Sequence, residues 1–195
     1  VRNDQDRLGP HRDDSIVATA ETQRKRANEM KLGILGTGRV ALLLAAAWEK
    51  AGHDIVLGSR EPGSKQLDFT VQTLIETVSG ADIVVNAIAG SATVATISSI
   101  DAGAFSGKTV IDVANATTPT FDLIYPNSSL AEHLQVALPN AHIVKTMNTA
   151  AMTVMTNPTS IGQSSVFLSG DNAAAKAQAA GLLRDIGWTD DEIID

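Results

Sequence analysis

A glycine-rich stretch directly after a short apolar run, residues 31–41 with the sequence KLGILGTGRVA, constrains the fold of this chain more than any other feature. The apolar run predicts a buried strand, and Gly36, Gly38 and Ala41 have the G-x-G-x-x-A spacing of a dinucleotide-binding turn. Gly36 permits a tight turn, Gly38 lets the backbone approach a pyrophosphate, and Ala41 lets the next helix pack closely on the strand. The helix predicted from Arg39 to Ala51 would direct its positive end at the phosphates. A plain strand-to-helix turn is the alternative at this point.

The composition of the whole chain indicates an α/β protein. Its 195 residues suffice for one domain with a hydrophobic core. The chain is 44% hydrophobic but only 4% aromatic, so Ala, Val, Ile and Leu must build the core, as in a parallel sheet covered by helices. The net charge of -7 offers no basic surface to nucleic acid or to an anionic membrane, and we expect neither as a partner.

The chain contains no cysteine, which excludes disulfides, thiolate catalysis and cysteine-ligated metals. Its four histidines and its carboxylates show no metal-ligand spacing, so we predict no metal site. No apolar run reaches about 18 residues, the length of a membrane span, and the N-terminus lacks the features of a secretory signal. We therefore expect a soluble, cytoplasmic protein. The sequence leaves its oligomeric state open, with a homodimer among the alternatives.

Residues 1–29 differ in composition from the rest of the chain. They carry six acidic and six basic residues and few apolar ones, so they cannot build a core. We expect an N-terminal extension that is either flexible or folded into a short helix over 15–28. Residues 30–195 are expected to form the dinucleotide-binding domain. Residues 191–195 read as the beginning of a last strand, so we leave open whether Asp195 is the natural end of the domain.

Apolar runs that end in small or polar residues recur along the domain and predict its strands. The predicted strands are 54–60, a vestigial 67–70, 81–89, 109–114, 142–147 and 165–168, and the later helices are 71–79, one from about Val94, 130–137 and 172–186. Only about twenty residues separate Arg60 from the next clear strand, too few for the helix, strand and second crossover of a standard doubly wound sheet. We predict a Rossmann-type, doubly wound, mainly parallel sheet with helices on both faces, in which a loop over 61–66 replaces the second helix.

Candidate binding groups lie at the carboxyl ends of the predicted strands, where open parallel sheets bind their ligands. Strand 54–60 ends in Ser59 and Arg60, at the place where an NAD site would carry an acidic residue. A hydroxyl and a guanidinium suit a 2′-phosphate, which a carboxylate would repel, so NADP is favoured over NAD. Lys65 offers a second cation. In the alternative interpretation, Arg60 is a solvent-exposed residue at a strand end.

No proton-transfer group is predicted at these strand ends. His53 and His142 precede or begin strands and therefore lie at the opposite edge of the sheet, and no serine lies in a nucleophile elbow. The polar strand ends at Asn115 and Asn148 either face the ligand crevice or serve as ordinary turn residues. Hydride transfer between two bound molecules requires mainly positioning and exclusion of water. We therefore assign no residue to acid–base catalysis.

The chain resembles the family of NADPH-dependent reductases of the deazaflavin coenzyme F420. The resemblance rests on residues 33–38, 51–60, 80–85, 112–115 and 143–149, of which the Gly-Ser-Arg ending and the Val-Lys-x-x-Asn-Thr strand are the more specific. It implies that the pyrophosphate is held by Thr37, Gly38, Arg39 and Val40, that the 2′-phosphate is held by Ser59 and Arg60, and that the residues near the nicotinamide are Ile88, Ala89, Asn115 and Met147. The chain departs from the family pattern at Ala116, where a proline is common.

The resemblance implies an NADP(H)-binding oxidoreductase that transfers hydride to a flat acceptor, either F420 or a flavin. A small-molecule redox acceptor is then the expected partner. The first alternative is a non-catalytic NADP-binding module or redox sensor. The second is a dehydrogenase of small hydroxy or imino acids, which usually requires a large helical substrate domain that the remaining length does not supply.

Overall fold

The computed structural model describes residues 29–195, which form an open sheet with helices against both faces. The strands are β1 (Lys31–Leu35), β2 (Asp54–Ser59), β3 (Thr70–Thr73), β4 (Ile83–Asn86), β5 (Thr109–Asp112), β6 (His142–Thr146), β7 (Val166–Ser169) and β8 (Ile193–Ile194). The helices are α1 (Arg39–Ala51), α2 (Leu74–Gly80), α3 (Gly90–Ser98), α4 (Leu130–Ala137), α5 (Met152–Met155) and α6 (Ala173–Asp185), with short 3-10 helices at Ala102–Phe105 and Pro158–Ile161. The extension predicted for residues 1–29 lies outside the described residues, except for Glu29.

The strand order across the sheet is β3-β2-β1-β4-β5-β6-β7-β8. All neighbours from β3 to β6 are parallel, whereas β7 runs antiparallel to β6 and parallel to β8. The first six strands therefore have the doubly wound order of a Rossmann-type sheet, which confirms the predicted fold class. The order reverses between β1 and β4, and such a reversal leaves a ligand crevice at the carboxyl ends of the strands.

Two hydrophobic clusters cover the two faces of the sheet. On one face α1 and α6 pack through side chains such as Leu44, Trp48 and Leu182. The other face packs against α2, α3 and α4, with Ile97 and Leu134 among its buried side chains. Helices therefore hold both faces of the central strands and leave their carboxyl ends open. Among residues 29–195, no helix is long and apolar enough to cross a membrane.

The crossover from β2 to β3 confirms that the second helix is missing, because residues 60–69 contain no helix. The boundaries predicted next to it are wrong by a few residues: the strand expected at 67–70 is β3, and the helix expected at 71–79 is α2. A capping box fixes the start of α2, since the Thr73 backbone N–H donates to Glu76 Oε2 at 3.0 Å and the Glu76 backbone N–H donates to Thr73 Oγ1 at 3.4 Å.

The strands predicted at 81–89 and 109–114 are shorter in the structure because polar side chains end them. Oδ1 of Asn86, the last residue of β4, accepts a hydrogen bond from the backbone N–H of Ile88 at 3.2 Å. Oδ1 of Asp112, the last residue of β5, accepts one from the backbone N–H of Ala114, also at 3.2 Å. Such local bonds compete with the sheet ladder and turn the chain. The early end of β4 also lets α3 begin at Gly90, earlier than expected.

The remaining elements lie close to their predicted positions. Helices α1 and α4 have the predicted bounds, and α6 lies one residue inside its prediction at each end. Its first turn is capped by Asn172, whose Oδ1 accepts a hydrogen bond from the Ala175 backbone N–H at 2.9 Å. The strand predicted at 165–168 is β7, and the last strand expected at 191–195 contains only the two residues of β8.

Candidate functional site

The glycine turn between β1 and α1 leaves the helix N-terminus open to a ligand. Gly36 adopts a φ of 123°, and a Cβ there would lie 2.8 Å from the Ala87 carbonyl oxygen, so the turn requires glycine. Gly38 is the N-cap of α1, without a side-chain cap, and the first helical turn carries no acidic residue. No atom lies within 4 Å of the place where a Gly38 Cβ would be. The uncapped N-terminus of α1 therefore borders open space, an arrangement that suits an anion.

A first cavity of about 350 Å³ opens in front of this turn. It is enclosed by the glycine turn, the end of β2, the β2–β3 crossover and the first turns of α2 and α3. The predicted site residues that line it are Gly36, Thr37, Gly38, Ser59, Arg60, Lys65, Ile88 and Ala89. The sequence reasoning missed Gly58, Glu61, Ser64, Leu74, Ala87, Ala92 and Thr96. Most of these are wall residues whose position depends on how α2 and α3 pack, which local sequence does not show.

The charged side chains of the first cavity favour an anion. Arg60 and Lys65 are exposed and line the cavity together with one carboxylate, that of Glu61. The Lys65 ammonium reaches back to the glycine turn and donates to Thr37 O at 3.3 Å and to Thr37 Oγ1 at 3.4 Å. Ser59 Oγ accepts the Glu61 backbone N–H at 3.1 Å, which holds the start of the crossover. Two cations thus stand beside one carboxylate where β2 ends.

A second cavity of about 330 Å³ adjoins the first and shares Ala87, Ile88 and Ala89 with it. The other lining residues are Val40, Gly90, Ser91, Val113, Ala114, Asn115, Thr117, Asn148, Ala150 and Met155. Within the described part of the chain, no charged side chain lines this space. Asn115 Nδ2 donates to the Asn148 carbonyl oxygen at 2.6 Å and ties the loops after β5 and β6 together. The two cavities form one crevice with a charged end and a neutral end.

Two of the predicted site residues lie away from both cavities. Arg39 is the first residue of α1 and is exposed, but it is not among the lining residues. Met147 follows β6 with a φ of 58°, and its side chain, 1% exposed, packs in the cluster beneath α1 and α6. Val40 and Asn115 line the second cavity. The structure therefore gathers all the predicted residues except Arg39 and Met147 along one crevice.

Gly90 makes a close backbone contact that the sequence did not indicate. It begins α3 and is buried against the chain after β5. A Cβ on Gly90 would lie 2.1 Å from the Asn115 carbonyl oxygen and 2.6 Å from the Ala116 nitrogen. Only a residue without a side chain permits this close approach of two backbones.

A row of buried polar side chains beneath the second cavity was also missed. Asn86, Asp112 and Lys145 lie opposite one another on the adjacent strands β4, β5 and β6. Asn86 Nδ2 donates to Asp112 Oδ1 at 2.7 Å, and Lys145 Nζ lies 2.7 Å from Asp112 Oδ2. A polar residue within each apolar run was the available signal. Within residues 29–195, no group of three or more His, Asp or Glu side chains could hold a metal ion.

Comparison with known proteins relates this fold and crevice to a family. Residues 31–116, which contain the glycine turn and the β2 end, match the family described as NADP oxidoreductase, coenzyme F420-dependent. The metalloreductase STEAP3 of Rattus norvegicus is 28% identical over 163 residues, which make up 82% of this chain and 33% of that protein. The chain thus spans about a third of the length of this relative.

Solved structures extend the similarity to most of the chain. A protein of Arthrobacter sp. FB24, named as a candidate F420-dependent NADP reductase, is 33% identical with a TM-score of 0.79, covering 85% of this chain and 84% of its own. A hypothetical protein of Sinorhizobium meliloti is 22% identical with a TM-score of 0.71 over 89% of this chain and 87% of its own, and shows a shared fold. The pyrroline carboxylate reductase of Plasmodium falciparum, solved with NADP bound, shares the fold at 17% identity and a TM-score of 0.60 over 86% of this chain and 57% of its own. The chain belongs to the coenzyme F420-dependent NADP oxidoreductase family.

Proposed function

We propose that this protein binds NADP(H) along the crevice and transfers hydride between the nicotinamide and a flat acceptor, either the deazaflavin F420 or a flavin. The observation that carries the proposal is the first cavity. There the uncapped N-terminus of α1 faces a space in which Ser59 and Arg60 end β2 at the position of the acidic residue of an NAD site. This combination suits a nucleotide with both a pyrophosphate and a 2′-phosphate.

The pyrophosphate would be held by the backbone of the glycine turn. Thr37 and Gly38 line the cavity, and the amides of the first turn of α1 supply donors and the positive end of the helix dipole. The Lys65 ammonium already lies within 3.4 Å of Thr37 and adds a cation at the same place. Arg39 is exposed next to this turn and would reach a phosphate only from its outer side.

The 2′-phosphate would be held at the end of β2 by Ser59 and Arg60, with Lys65 as a further cation of the same cavity. A guanidinium can donate two hydrogen bonds to a phosphate, and the hydroxyl can donate a third. Glu61 is the one carboxylate of this cavity and would weaken the binding of any phosphate near it. The remaining walls, including Leu74 and Ala92, offer apolar surface for the adenine.

The nicotinamide and the acceptor would share the second cavity. NADPH, when bound, supplies the hydride from C4 of its nicotinamide. The chain's own groups would position the rings and exclude water, which is what this transfer requires from a protein. Ile88 and Ala89 form the wall common to both cavities, and Asn115 and Asn148 offer amide groups to a polar heterocycle. The neutral lining suits an uncharged ring system better than a carboxylate-bearing hydroxy or imino acid.

The preference for NADPH is tested by titrating NADPH and NADH into the purified protein and following nicotinamide fluorescence. Arg60→Ala should lower the affinity for NADPH by about 10-fold to 100-fold, which corresponds to the loss of one hydrogen bond to a charged group. The affinity for NADH should change little. Arg184→Ala is the matched control, because Arg184 lies on α6, paired with Asp190 at 2.6 Å and away from the crevice. Equal losses of NADPH and NADH in Arg60→Ala would refute the 2′-phosphate assignment.

The acceptor is tested by following the absorbance of NADPH at 340 nm with F420, with FAD and FMN, and with a panel of quinones and imines. Oxidation of NADPH by F420 or a flavin is the expected result. Tight NADPH binding without oxidation by any acceptor would refute the enzymatic proposal and favour an NADP-binding module or redox sensor. Turnover restricted to imines would instead indicate a dehydrogenase or reductase of small molecules.

A further inference from the structure

We propose that Asn86, Asp112 and Lys145 form a positioning network that holds the backbone walls of the second cavity in the geometry needed to place the nicotinamide. The inference rests on the proposed function, because it concerns the same crevice. It assigns a role to three side chains that do not line either cavity. They are therefore positioning residues and not catalytic ones.

The three side chains form one transverse row. Strand pairing sets Asn86 opposite Asp112 and Asp112 opposite Lys145; the first two are the last residues of their strands, and Lys145 is the last but one of β6. Asn86 and Asp112 are fully buried, and the Lys145 side chain is 18% exposed. Asp112 accepts from Asn86 through Oδ1 and from Lys145 through Oδ2, at 2.7 Å in both cases. The carboxylate thus joins all three strands at the level where they leave the sheet.

Each end of the row holds backbone atoms of the cavity wall. Asn86 Oδ1 accepts the Ile88 backbone N–H, and Asp112 Oδ1 accepts the Ala114 backbone N–H. The Lys145 ammonium also donates to the Ala114 carbonyl oxygen. Ile88 and Ala114 both line the second cavity. The network thereby fixes the peptide groups on two sides of the neutral space.

Thr93 extends the hold to the wall that both cavities share. Asn86 Nδ2 lies 3.4 Å from Thr93 Oγ1, and the Thr93 hydroxyl lies 3.2 Å from the Ile88 carbonyl oxygen and 3.1 Å from that of Ala89. The hydroxyl has one proton and can satisfy one of these carbonyls at a time. A buried charged pair costs desolvation, and a hydrophobic substitute of similar shape is often as stable. The buried polar row beside the crevice is therefore better explained by its effect on the geometry of the cavity wall than by a contribution to the stability of the fold.

The experiment compares two variants that each remove a lysine-to-carbonyl bond. Lys145→Met removes the ammonium of the network and keeps an unbranched chain. Lys108→Met is the matched control, because Lys108 Nζ donates to the Ala81 carbonyl oxygen at 2.6 Å and Lys108 precedes β5, at the opposite edge of the sheet. Both variants and the wild type are titrated with NADPH and with 2′,5′-ADP, which can occupy only the first cavity.

We expect Lys145→Met to weaken the binding of NADPH about 10-fold or more and to change the affinity for 2′,5′-ADP less than twofold, because Ala114, which the Lys145 ammonium holds, lines the second cavity and not the first. Lys108→Met should leave both affinities near those of the wild type. Unchanged NADPH affinity in Lys145→Met would overturn the inference. Equal losses of NADPH and 2′,5′-ADP in Lys145→Met would overturn it as well, because they would indicate a general structural effect.

A second variant removes the buried charge that Lys145→Met leaves behind. Asp112→Asn combined with Lys145→Met should restore thermal stability, since no unpaired carboxylate remains. The affinity for NADPH should stay low, because the Ala114 carbonyl oxygen still lacks its hydrogen-bond donor. Recovery of both stability and NADPH affinity would assign the row to charge balance alone and overturn its positioning role. The double variant also serves if Lys145→Met does not fold.

Hydrogen exchange of the ligand-free protein separates this inference from the proposed function. The Ala114 and Ile88 amides should exchange at least about 10-fold faster in Lys145→Met than in the wild type, and at wild-type rates in Lys108→Met. This result would support the network even if the wild type bound no NADPH, an outcome that would refute only the proposed function. Unchanged exchange at both amides would overturn the network itself.

Discussion

Replacing Gly90 with alanine should distort the second cavity and leave the first intact. The new Cβ would lie 2.1 Å from the Asn115 carbonyl oxygen, 2.4 Å from its carbon and 2.6 Å from the Ala116 nitrogen. Ordinary van der Waals contact begins at 3.4 Å, so Asn115 and the start of α3 must separate by about 1.3 Å. All three atoms belong to the backbone and cannot rotate away. The displacement is therefore shared between the start of α3 and Asn115, both of which line the second cavity.

The structure gives the size of the expected effect. Overpacking of a well-packed site costs about 1–3 kcal/mol, and we expect the free energy of unfolding to fall by that amount in Gly90→Ala. A displacement of about 1 Å near reacting groups can slow a reaction about 100-fold. We expect a loss of that size in hydride transfer from NADPH to F420. Affinity for 2′,5′-ADP should change little, because the glycine turn and the end of β2 are not displaced.

The assay combines urea unfolding with single-turnover oxidation of NADPH by F420. Gly181→Ala is the control, because Gly181 lies within α6 and no atom lies within 4 Å of its Cβ position. That change should stabilise the protein by about 0.5–1 kcal/mol, as alanine does in a helix interior, with wild-type hydride transfer. Wild-type stability and wild-type transfer in Gly90→Ala would refute the reasoning from backbone contact.

Two further predictions concern stability away from the crevice. Trp48→Phe removes the indole N–H that donates to the Leu182 carbonyl oxygen, one of the last carbonyls of α6, at 2.9 Å. The free energy of unfolding, measured in urea, should fall by about 1–3 kcal/mol because this buried carbonyl loses its donor. An unchanged unfolding midpoint would contradict this prediction. The side-chain and backbone hydrogen bonds from Thr73 lower the pKa of Glu76 below its ordinary value. The ionised Glu76 carboxylate therefore stabilises the folded state at pH values above its pKa in the unfolded chain. This contribution to stability is lost as the pH falls through the lowered pKa of the folded state. Thr73→Ala should raise the Glu76 pKa towards its ordinary value in an NMR titration and reduce the stability lost across that acid window, and an unchanged pKa would refute the assignment.

Much of the sheet could be predicted because its signals are local. Residues close together in the sequence determine the glycine turn, the apolar runs and the bounds of α1 and α4. Even the missing second helix followed from the spacing between Arg60 and the next clear strand. The region between them was harder, because Leu67 and Phe69 indicate a strand when they instead anchor a loop on the core beneath α1. The Thr-x-x-Glu capping signature at Thr73 would have corrected the start of α2.

The supports of the second cavity could not be predicted because they depend on distant pairing. Asp112 meets Asn86 and Lys145 only when β4, β5 and β6 pair in one register. Nothing in the local sequence sets that register. The need for glycine at position 90 likewise depends on the close backbone contact with Asn115, which lies 25 residues further along the chain. Met147 differs in the other direction, since the family resemblance implies a position near the nicotinamide, whereas its side chain is buried in the core and lines neither cavity.

The first cavity is formed largely by exposed side chains and the second by buried groups, so substitutions should affect the two cavities differently. The first cavity takes its charge from Arg60 and Lys65, which are exposed, so substitutions there can alter the preference between NADPH and NADH with little effect on stability. The second cavity takes its shape from buried groups such as Asp112 and from the backbone contact at Gly90, so changes there affect folding and ring placement together. Cofactor preference should therefore be the easier property to re-engineer, whereas acceptor placement is coupled to the packing of the sheet.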